Sequence, residues 1–180
     1  MSKANADLAG LIRTIPDYPK PGILFRDVST LLLDGPGFRA AIDRLIATFD
    51  PDVVDLIAGI EARGFIVAAA LSYALTKGKI MLRKPGKLPG AVIGIDYALE
   101  YGTDRIELHQ GAVPPGARVL LVDDLIATGG TALAGISLLR GAGAEVSAAR
   151  FLVDLPDLGG AEKLRALGVE PVSLLEYAGE

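Results

Sequence analysis

Two adjacent carboxylates and a glycine-rich turn follow one apolar stretch of this chain. The apolar residues Val119 to Val122 precede Asp123-Asp124-Leu125-Ile126, and Ala127-Thr128-Gly129-Gly130-Thr131 comes next. Glycines carry no Cβ, so they allow positive φ angles and a close approach of the backbone to a ligand. Threonine hydroxyls donate to anionic oxygens, and free amides at the start of a helix form an anion site. The sequence therefore predicts a phosphate-binding loop made of Ala127, Thr128, Gly129, Gly130 and Thr131.

Asp123 and Asp124 would repel a phosphate that they faced directly. Sugar hydroxyls or a magnesium ion suit them better, because carboxylates accept hydrogen bonds and bind hard cations. A phosphate loop beside paired carboxylates predicts a site for a ribose 5-phosphate. An acidic N-cap in an ordinary strand-to-helix turn is the structural alternative. Neither the Gly-x-x-x-x-Gly-Lys-Ser/Thr pattern nor Gly-x-Gly-x-x-Gly occurs in the chain.

Two earlier segments carry groups suited to a flat or an anionic ligand. Phe25, in Ile23 to Val28, is either a buried core aromatic or a ring that stacks on a ligand. Arg63 follows a predicted strand, in Gly59-Ile60-Glu61-Ala62-Arg63-Gly64-Phe65. A cation at the start of a helix is unfavourably placed for the helix dipole. Arg63 therefore either forms a structural salt bridge or meets an anion.

A basic segment and a single carboxylate complete the candidate groups. Residues 83–90, Arg-Lys-Pro-Gly-Lys-Leu-Pro-Gly, combine three cations with four turn-formers, which predicts a mobile surface loop. It is either a solvated loop or a lid that closes over a polyanion. Glu100 ends the first arm of a predicted hairpin, and His109 ends the second. We assign His109 no role.

The elements that must position these groups alternate between strand and helix. Such alternation is typical of an α/β fold with a parallel sheet, in which ligands bind at the carboxyl edge of the strands. Strands are predicted over 53–58, 79–82, 119–122, 145–153 and 171–175, a hairpin over 95–101 and 105–109, and helices over 8–15, 36–48, 65–76, 131–140 and 161–167.

Composition limits the classes of protein. The chain has 180 residues, 51% hydrophobic and 22% charged, with a net charge of −4, no cysteine and one histidine. One domain over 1–180 is expected, and neither nucleic acid nor a multi-histidine metal site is favoured. The longest apolar run, 65–75, is shorter than the ~20 residues of a membrane-spanning helix. We expect a soluble, cytoplasmic protein without membrane partners.

Residues 123–131 resemble the signature of the type I phosphoribosyltransferases. With Pro16-Asp17-Tyr18-Pro19, the segment 21–27, and the blocks 61–65, 83–90 and 99–102, the chain is similar to the adenine-specific members of that family over nearly its whole length. The resemblance implies a central, mostly parallel sheet flanked by helices. It also implies a small hood formed by about 1–35 and 154–180, a hairpin with a flexible lid, a homodimer and magnesium.

The implied reaction transfers a phosphoribosyl group from phosphoribosyl pyrophosphate to N9 of adenine, giving AMP and pyrophosphate. Magnesium would come with phosphoribosyl pyrophosphate, with no strong protein ligand and with water linking it to Asp123 or Asp124. Where the family usually has aspartate, this chain has Glu61, which leaves the role of that carboxylate open. The implied roles are Phe25, Arg26 and Leu155 for adenine, Asp123 and Asp124 for ribose, Glu61, Ala62, Arg63, Arg83, Lys84 and Lys87 for pyrophosphate, and Glu100 and Arg63 for catalysis.

Two alternatives stay open on the residues alone. A phosphoribosyltransferase for xanthine or hypoxanthine would share the ribose site and differ in reading the purine's 6-substituent. A non-catalytic sensor of phosphoribosyl pyrophosphate that regulates transcription would need a nucleic-acid-binding module. The roughly 50 residues before the first strand of the main sheet are not basic, which favours an enzyme.

Overall fold

Helices and strands alternate along most of the chain. The computed structural model describes residues 5–98 and 102–178. The helices are α1 (Ala6–Ala9), α2 (Ser29–Leu33), α3 (Gly35–Ile46), α4 (Gly64–Leu75), α5 (Gly130–Gly141) and α6 (Gly160–Ala166). The strands are β1 (Arg13–Pro16), β2 (Leu24–Asp27), β3 (Leu56–Ile60), β4 (Gly78–Leu82), β5 (Val92–Ala98), β6 (Thr103–His109), β7 (Arg118–Ile126), β8 (Glu145–Asp154) and β9 (Glu170–Glu176).

A five-stranded sheet forms the centre of the molecule, in the order β4-β3-β7-β8-β9. All four of its strand pairs are parallel, which confirms the predicted fold class. Successive side chains of a strand point to opposite faces of a sheet. In β7, Val119 and Leu121 join one buried apolar cluster, and Leu120 and Val122 join the other. The sheet is therefore buried on both faces.

Different elements cover the two faces. On one face, α5 contributes Ile136 and Leu139, and the antiparallel β5–β6 hairpin contributes Ile106 and Leu108. On the other face, the cluster includes apolar residues of α1, α3 and α4. Such three-layer packing explains why β7 begins as an uninterrupted apolar run rather than an alternating one.

The strand order reverses between β3 and β7. After β3 the chain moves outward to β4, whereas β7 lies on the other side of β3 and leads to β8 and β9. The loops that follow β3 and β7 therefore leave the sheet on either side of a crevice at its carboxyl edge. In open α/β sheets, this switch point is where ligands bind.

The two ends of the described chain meet above this edge. Asn5 Nδ2 donates to the Leu174 carbonyl over 2.7 Å, and the Tyr177 hydroxyl donates to the Ala9 carbonyl over 3.3 Å. The guanidinium of Arg26 lies 4.5 Å from the centre of the Tyr177 ring. These contacts join the segment that contains the small β1–β2 sheet to the end of β9.

Two sequence predictions of local structure are wrong. Residues 8–15 are not one helix: α1 ends at Ala9, and Arg13–Pro16 pairs with β2, where the β-branched Thr14 and Ile15 suit an extended backbone. The central strand does not end at Val122 but continues through both aspartates to Ile126. Within the described ranges, no helix has both the length and the apolar character needed to cross a membrane.

Candidate active site

An apolar cavity of about 400 Å³ lies beside Phe25 at the carboxyl edge of the sheet. Phe25 is half-buried, and its ring meets that of Tyr18 edge-on at 5.1 Å. Leu155, which follows β8, is buried and lines the same cavity. The cavity can take a flat, largely apolar ligand between an aromatic ring and an aliphatic side chain. Its lining residues are Ile23, Leu24, Phe25, Arg26, Arg63, Leu125, Ala127, Leu155 and Leu158.

A second cavity, of about 130 Å³, adjoins the first. It is lined by Asp123 and by the segment from Leu125 to Ala132, so that Leu125 and Ala127 border both cavities. The segment includes the whole predicted phosphate-binding loop. Gly129 has a φ of 81°, in the left-handed region that favours glycine. The chain thus places a small polar cavity next to a larger apolar one.

Arg63 lies between Phe25 and Asp124. It precedes α4 directly, and its Nε is 2.7 Å from Asp124 Oδ2, without the alignment of a hydrogen bond. Its guanidinium carbon is 5.6 Å from the centre of the Phe25 ring. The position of Arg63 therefore fits both predicted roles, a structural salt bridge and contact with an anionic ligand. It forms a salt bridge with a buried carboxylate, and it lines the ligand cavity with 45% of its side chain exposed.

The two aspartates of β7 have different surroundings. Asp124 is buried and pairs with Arg63, whereas Asp123 lines the smaller cavity. Burial, followed by repulsion from Asp124, raises the pKa of Asp123 well above its ordinary value. Gly64 packs so closely that a Cβ there would lie 2.6 Å from Asp123 Oδ1. A larger residue at the start of α4 would therefore displace this carboxyl group.

Glu61 holds the start of the basic segment. Its two carboxylate oxygens accept hydrogen bonds from Arg83 Nε and Nη2 at 3.0 and 3.1 Å. The Lys84 amide donates to the same carboxylate over 2.9 Å. The bond from Arg83 is the main reason that the pKa of Glu61 lies below its ordinary value. Glu61 is thus an anchor for residues 83 and 84, and its bond to Ala62 is a cis peptide.

The basic segment is better bonded than its composition indicates. Arg83 forms an antiparallel backbone bridge with Glu107 of β6, and Leu88 is buried. His109 Nε2 donates to the Pro89 carbonyl over 2.9 Å, which gives His109 a structural contact. Residues 83–90 form a loop, as predicted, although Arg83 and Pro89 bond to β6; the mobility of this loop stays a prediction. Lys87 remains exposed.

A hydrogen-bonded network links Lys84 to the phosphate-binding loop. Lys84 Nζ donates to the Tyr97 hydroxyl over 3.0 Å and also to Asp104. The Thr131 hydroxyl donates to Tyr97 over 3.3 Å, and Tyr97 donates to Asp104 over 3.1 Å. Burial lowers the pKa of Lys84, but the bonds to Asp104 and Tyr97 outweigh it and raise that pKa overall. Lys84 therefore stays charged beside the loop.

The crevice brings together most of the residues predicted from sequence. Phe25, Arg26 and Leu155 border the apolar cavity, and Asp123 and the 127–131 loop border the polar one. Glu100 lies outside the described residues.

Sequence reasoning missed Tyr97 and Asp104. They are paired across the β5–β6 hairpin, whereas the predicted arms 95–101 and 105–109 would have set Tyr97 opposite His109, so the predicted register gave no signal for this pair.

The carboxylates of the site do not form a metal cage. Among the described residues, no group of three or more histidine, cysteine, aspartate or glutamate side chains is arranged to hold a metal ion. Asp124 is paired with Arg63, and Glu61 with Arg83. Magnesium often binds through one or two carboxylates, waters and substrate phosphates. The donor set therefore fits a cation brought by a phosphorylated substrate.

Comparisons with known proteins agree with this geometry. The family model described as "Phosphoribosyl transferase domain" matches residues 29–162. The chain is 58% identical over 173 residues to an adenine phosphoribosyltransferase of Rhodopseudomonas palustris strain BisB5, with 96% of each chain covered. The adenine phosphoribosyltransferase structure from Thermoanaerobacter pseudethanolicus is 43% identical, with a TM-score of 0.91 and coverage of 96% of this chain and 99% of that one.

A structure with bound ligands is similar as well. The Saccharomyces cerevisiae adenine phosphoribosyltransferase, complexed with an imino-altritol bisphosphate and adenine, is 33% identical with a TM-score of 0.90. The match covers 97% of this chain and 100% of the yeast one. The family match spans well over half of the chain, and these relatives are matched over nearly their full length. The chain therefore belongs to the phosphoribosyltransferase family, within the group of adenine phosphoribosyltransferases.

Proposed function

We propose that this chain transfers the 5-phosphoribosyl group of phosphoribosyl pyrophosphate to N9 of adenine, giving AMP and pyrophosphate in purine salvage. The observation that carries the proposal is the pair of adjoining cavities at the switch point of the sheet. One is apolar with an aromatic ring, and the other is bordered by the 127–131 loop and Asp123. Their adjacency suits a nucleotide, whose base and 5-phosphate are joined by one sugar.

The two cavities divide the substrates between them. Adenine occupies the larger one, with Phe25 on one side, Leu155 on the other and backbone groups near Arg26 at its edge. The 5-phosphate binds the amides and hydroxyls of residues 127–131. Asp123 and Asp124 accept hydrogen bonds from the ribose hydroxyls. Asp124 takes up this role when Arg63 leaves it.

The pyrophosphate lies between the loop after β3 and the basic segment. Arg63, Lys84 and Lys87 provide positive charge, and Glu61 sets the positions of Arg83 and Lys84. Arg63 exchanges Asp124 for the more highly charged pyrophosphate, and Lys84 moves from Asp104 to the same group. Anionic phosphates form strong charge-assisted bonds with these side chains.

Catalysis consists mainly of positioning and charge stabilisation. The bond from N9 to C1′ of the ribose forms as the bond from C1′ to the pyrophosphate oxygen breaks. Positive charge grows on the sugar, where Asp123 and Asp124 lie, and negative charge grows on the leaving group. Glu100 takes the proton of the purine imidazole, a role typically worth about 10²–10⁴-fold in rate.

The Glu100→Gln variant tests that role. It keeps the size of the side chain and removes its basicity, so kcat is expected to fall by about 10²-fold or more. Steady-state kinetics with adenine and phosphoribosyl pyrophosphate measures the change. A turnover equal to that of the unmodified chain would remove Glu100 from the chemistry.

Magnesium enters with phosphoribosyl pyrophosphate in this proposal. Asp123 or Asp124 would hold it through water, beside the pyrophosphate that carries it. When bound, it neutralises part of the charge on the leaving group. We expect activity to be lost with a chelator and restored by excess Mg²⁺.

The wider setting of the enzyme is also a proposal. The contacts of Asn5, Ala9 and Arg26 with the end of β9 support a hood formed by about 1–35 and 154–180, within one domain over 1–180. Exposed apolar side chains on α4 support a homodimer. Phosphoribosyl pyrophosphate and AMP are phosphorylated metabolites of the cell interior, which supports a cytoplasmic location.

A purine panel tests the proposed activity. Purified protein, Mg²⁺ and phosphoribosyl pyrophosphate are incubated separately with radiolabelled adenine, hypoxanthine, guanine and xanthine. We expect nucleotide from adenine at a rate at least about 10²-fold above the others, since a site matched to one pattern of donors and acceptors rejects the opposite pattern. Preference for a 6-oxopurine would favour the alternative substrate class, and no turnover with any base would favour a sensor.

A further inference from the structure

The loop after β7 is held from behind by the segment that follows β8. The Ile126 carbonyl accepts a hydrogen bond from the Leu155 amide, and the Ala127 carbonyl accepts one from the Gly160 amide, both at 3.0 Å. Lys163 Nζ donates to the Thr128 carbonyl over 2.9 Å. Three consecutive carbonyls of the loop therefore point to the same neighbouring segment.

This arrangement fixes the direction of the loop amides. In a trans peptide the C=O and the next N–H point in opposite directions. The peptide bonds after Ile126, Ala127 and Thr128 are trans, so the N–H groups of residues 127–129 point away from the segment 155–163, which holds the carbonyls. The small polar cavity lies on that side, because residues 123 and 125–132 line it and those of α6 do not.

The contact between the two segments leaves no room for a side chain. A Cβ on Gly160 would lie 2.2 Å from the Ala127 carbonyl oxygen and 2.8 Å from the Gly129 nitrogen. A Cβ on Gly129 would lie 2.9 Å from the Gly160 Cα. All of these neighbours are backbone atoms, so only a shift of the loop itself would relieve the clash.

We propose that Gly160 and Lys163 are positioning residues for the 5-phosphate site. They touch no substrate; they act by holding the carbonyls of Ala127 and Thr128, which aims the adjacent amides into the cavity. The inference rests on the proposed function, since it assumes that this cavity takes the 5-phosphate. It assigns a role to α6, a helix that contributes no residue to the predicted ligand contacts.

The test compares binding of AMP with binding of adenosine, which lacks only the phosphate. Isothermal titration calorimetry is performed on the unmodified chain and on Lys163→Met, Lys163→Arg and Gly160→Ala. We expect Lys163→Met to weaken AMP binding about fivefold and Gly160→Ala at least about tenfold, with adenosine affinity changed less than about twofold. Lys163→Arg keeps a charged donor and is expected to restore AMP affinity.

Two matched controls separate the contact from general effects. Arg165→Met removes a cation from the exposed side of the same helix, and Gly141→Ala adds a Cβ where no atom lies within 4 Å. Both are expected to retain the unmodified preference for AMP. If Gly160→Ala does not fold, Lys163→Met and Lys163→Arg still decide the question.

The outcomes distinguish this inference from the proposed function. Turnover of adenine by the unmodified chain tests the function alone. An unchanged ratio of AMP to adenosine affinity in a folded Lys163→Met variant would overturn the positioning role, even with normal turnover in the unmodified chain. Equal losses for AMP and adenosine would overturn it as well, because they would indicate a general structural defect.

Discussion

Arg63 shows how one side chain links both parts of the site. It contacts the Phe25 ring and the buried Asp124 before any ligand is present, although its proposed partner is pyrophosphate. We expect Arg63→Ala to raise KM for phosphoribosyl pyrophosphate about tenfold or more and KM for adenine less than about threefold, because only the first substrate loses a charge-assisted bond. Steady-state kinetics with each substrate varied in turn measures both.

The exposed Arg39, which pairs with Asp43 on α3, provides the control for this substitution. Arg39→Ala removes the same charge far from the crevice, and we expect it to leave both KM values unchanged. If Arg63→Ala raised both KM values equally, Arg63 would be a structural residue of the whole site rather than a pyrophosphate ligand.

The raised pKa of Asp123 predicts that the free energy of unfolding depends on pH. Its pKa in the folded chain lies well above the ordinary 3.8, because the carboxyl group is buried beside Asp124. The folded chain then binds more protons than the unfolded chain, so the stability that Asp123 contributes at low pH is lost as pH rises from 3.8 through the raised pKa. Asp123→Asn removes this loss and keeps an oxygen that accepts the Asp124 amide.

The free energy of unfolding of Asp123→Asn is therefore expected to exceed that of the unmodified chain by an amount that grows with pH over this interval. Urea denaturation at a series of pH values measures the difference. Asp43→Asn, at an exposed position on α3, controls for the loss of one carboxylate. A difference that stays constant or shrinks as pH rises would contradict the raised pKa of Asp123.

Residue types and spacing located much of the candidate site, but not the contacts of its residues. The loop at 127–131 was predictable because glycines, threonines and the start of a helix are all suited to binding an anion. The partners of Arg63 were not, since Phe25 and Asp124 come from distant segments that meet only in the folded chain. Tyr97 was missed because no local feature of the sequence shows whether a single tyrosine in an alternating strand packs in the core or belongs to a hydrogen-bonded network.

Glu61 connects two elements, the end of β3 and the segment after β4. Its carboxylate pairs with Arg83 and accepts the Lys84 amide, so it holds in place two of the residues proposed to bind pyrophosphate. Glu61→Gln keeps the size of the side chain but removes the charge. We expect KM for phosphoribosyl pyrophosphate to rise about three- to tenfold, with adenine KM unchanged, because the paired arginine loses its counter-ion. Initial-rate kinetics provides the measurement.

Glu162→Gln is the matched control, since Glu162 lies on the exposed surface of α6. Unchanged kinetics is the expected result for this control. Should Glu61→Gln behave in the same way as the control, the bonds from Glu61 to Arg83 and Lys84 would have no part in substrate binding.

Element prediction succeeded where periodicity and turn chemistry agreed. The parallel sheet, α4 and α5 were predicted because apolar strands alternate with glycine turns and helical spacing. Composition correctly predicted a loop at 83–90, but it could not predict which residues that loop contacts. Arg83 forms a bridge to β6, and Leu88 is buried. Both features depend on the β5–β6 hairpin, which lies further along the sequence.

At the scale of the molecule, the sheet order brings the two loops into one crevice. The loop after β3 supplies Glu61 and Arg63, and the loop after β7 supplies residues 127–129; these loops meet because the strand order reverses between β3 and β7. Sequence alternation predicted a parallel sheet but not this order, because it does not specify which strands are neighbours. The site follows from the topology as much as from its residues.

The same topology leaves one helix with an unpartnered apolar face. Along α4, Ile66 is 44% exposed and Tyr73 is 89% exposed; Tyr73 follows Ile66 by seven positions, or two helical turns, so they lie on one face. Met81 on the edge strand β4 is 38% exposed. Exposed apolar side chains that share a face often belong to interaction surfaces. A second copy of the chain is the proposed occupant, since a homodimer buries the same patch on both subunits.

Tyr73→Glu tests the proposed dimer by placing a charge on this face of α4. Light scattering after gel filtration is expected to give twice 18.7 kDa for the unmodified chain and 18.7 kDa for the variant. Burying a charge without a partner in an apolar interface costs more free energy than most single contacts supply, so the equilibrium shifts to the monomer. Leu167→Glu adds the same charge near β9, at the opposite edge of the sheet, and should leave the dimer intact. A Tyr73→Glu chain that remained dimeric would move the interface away from α4.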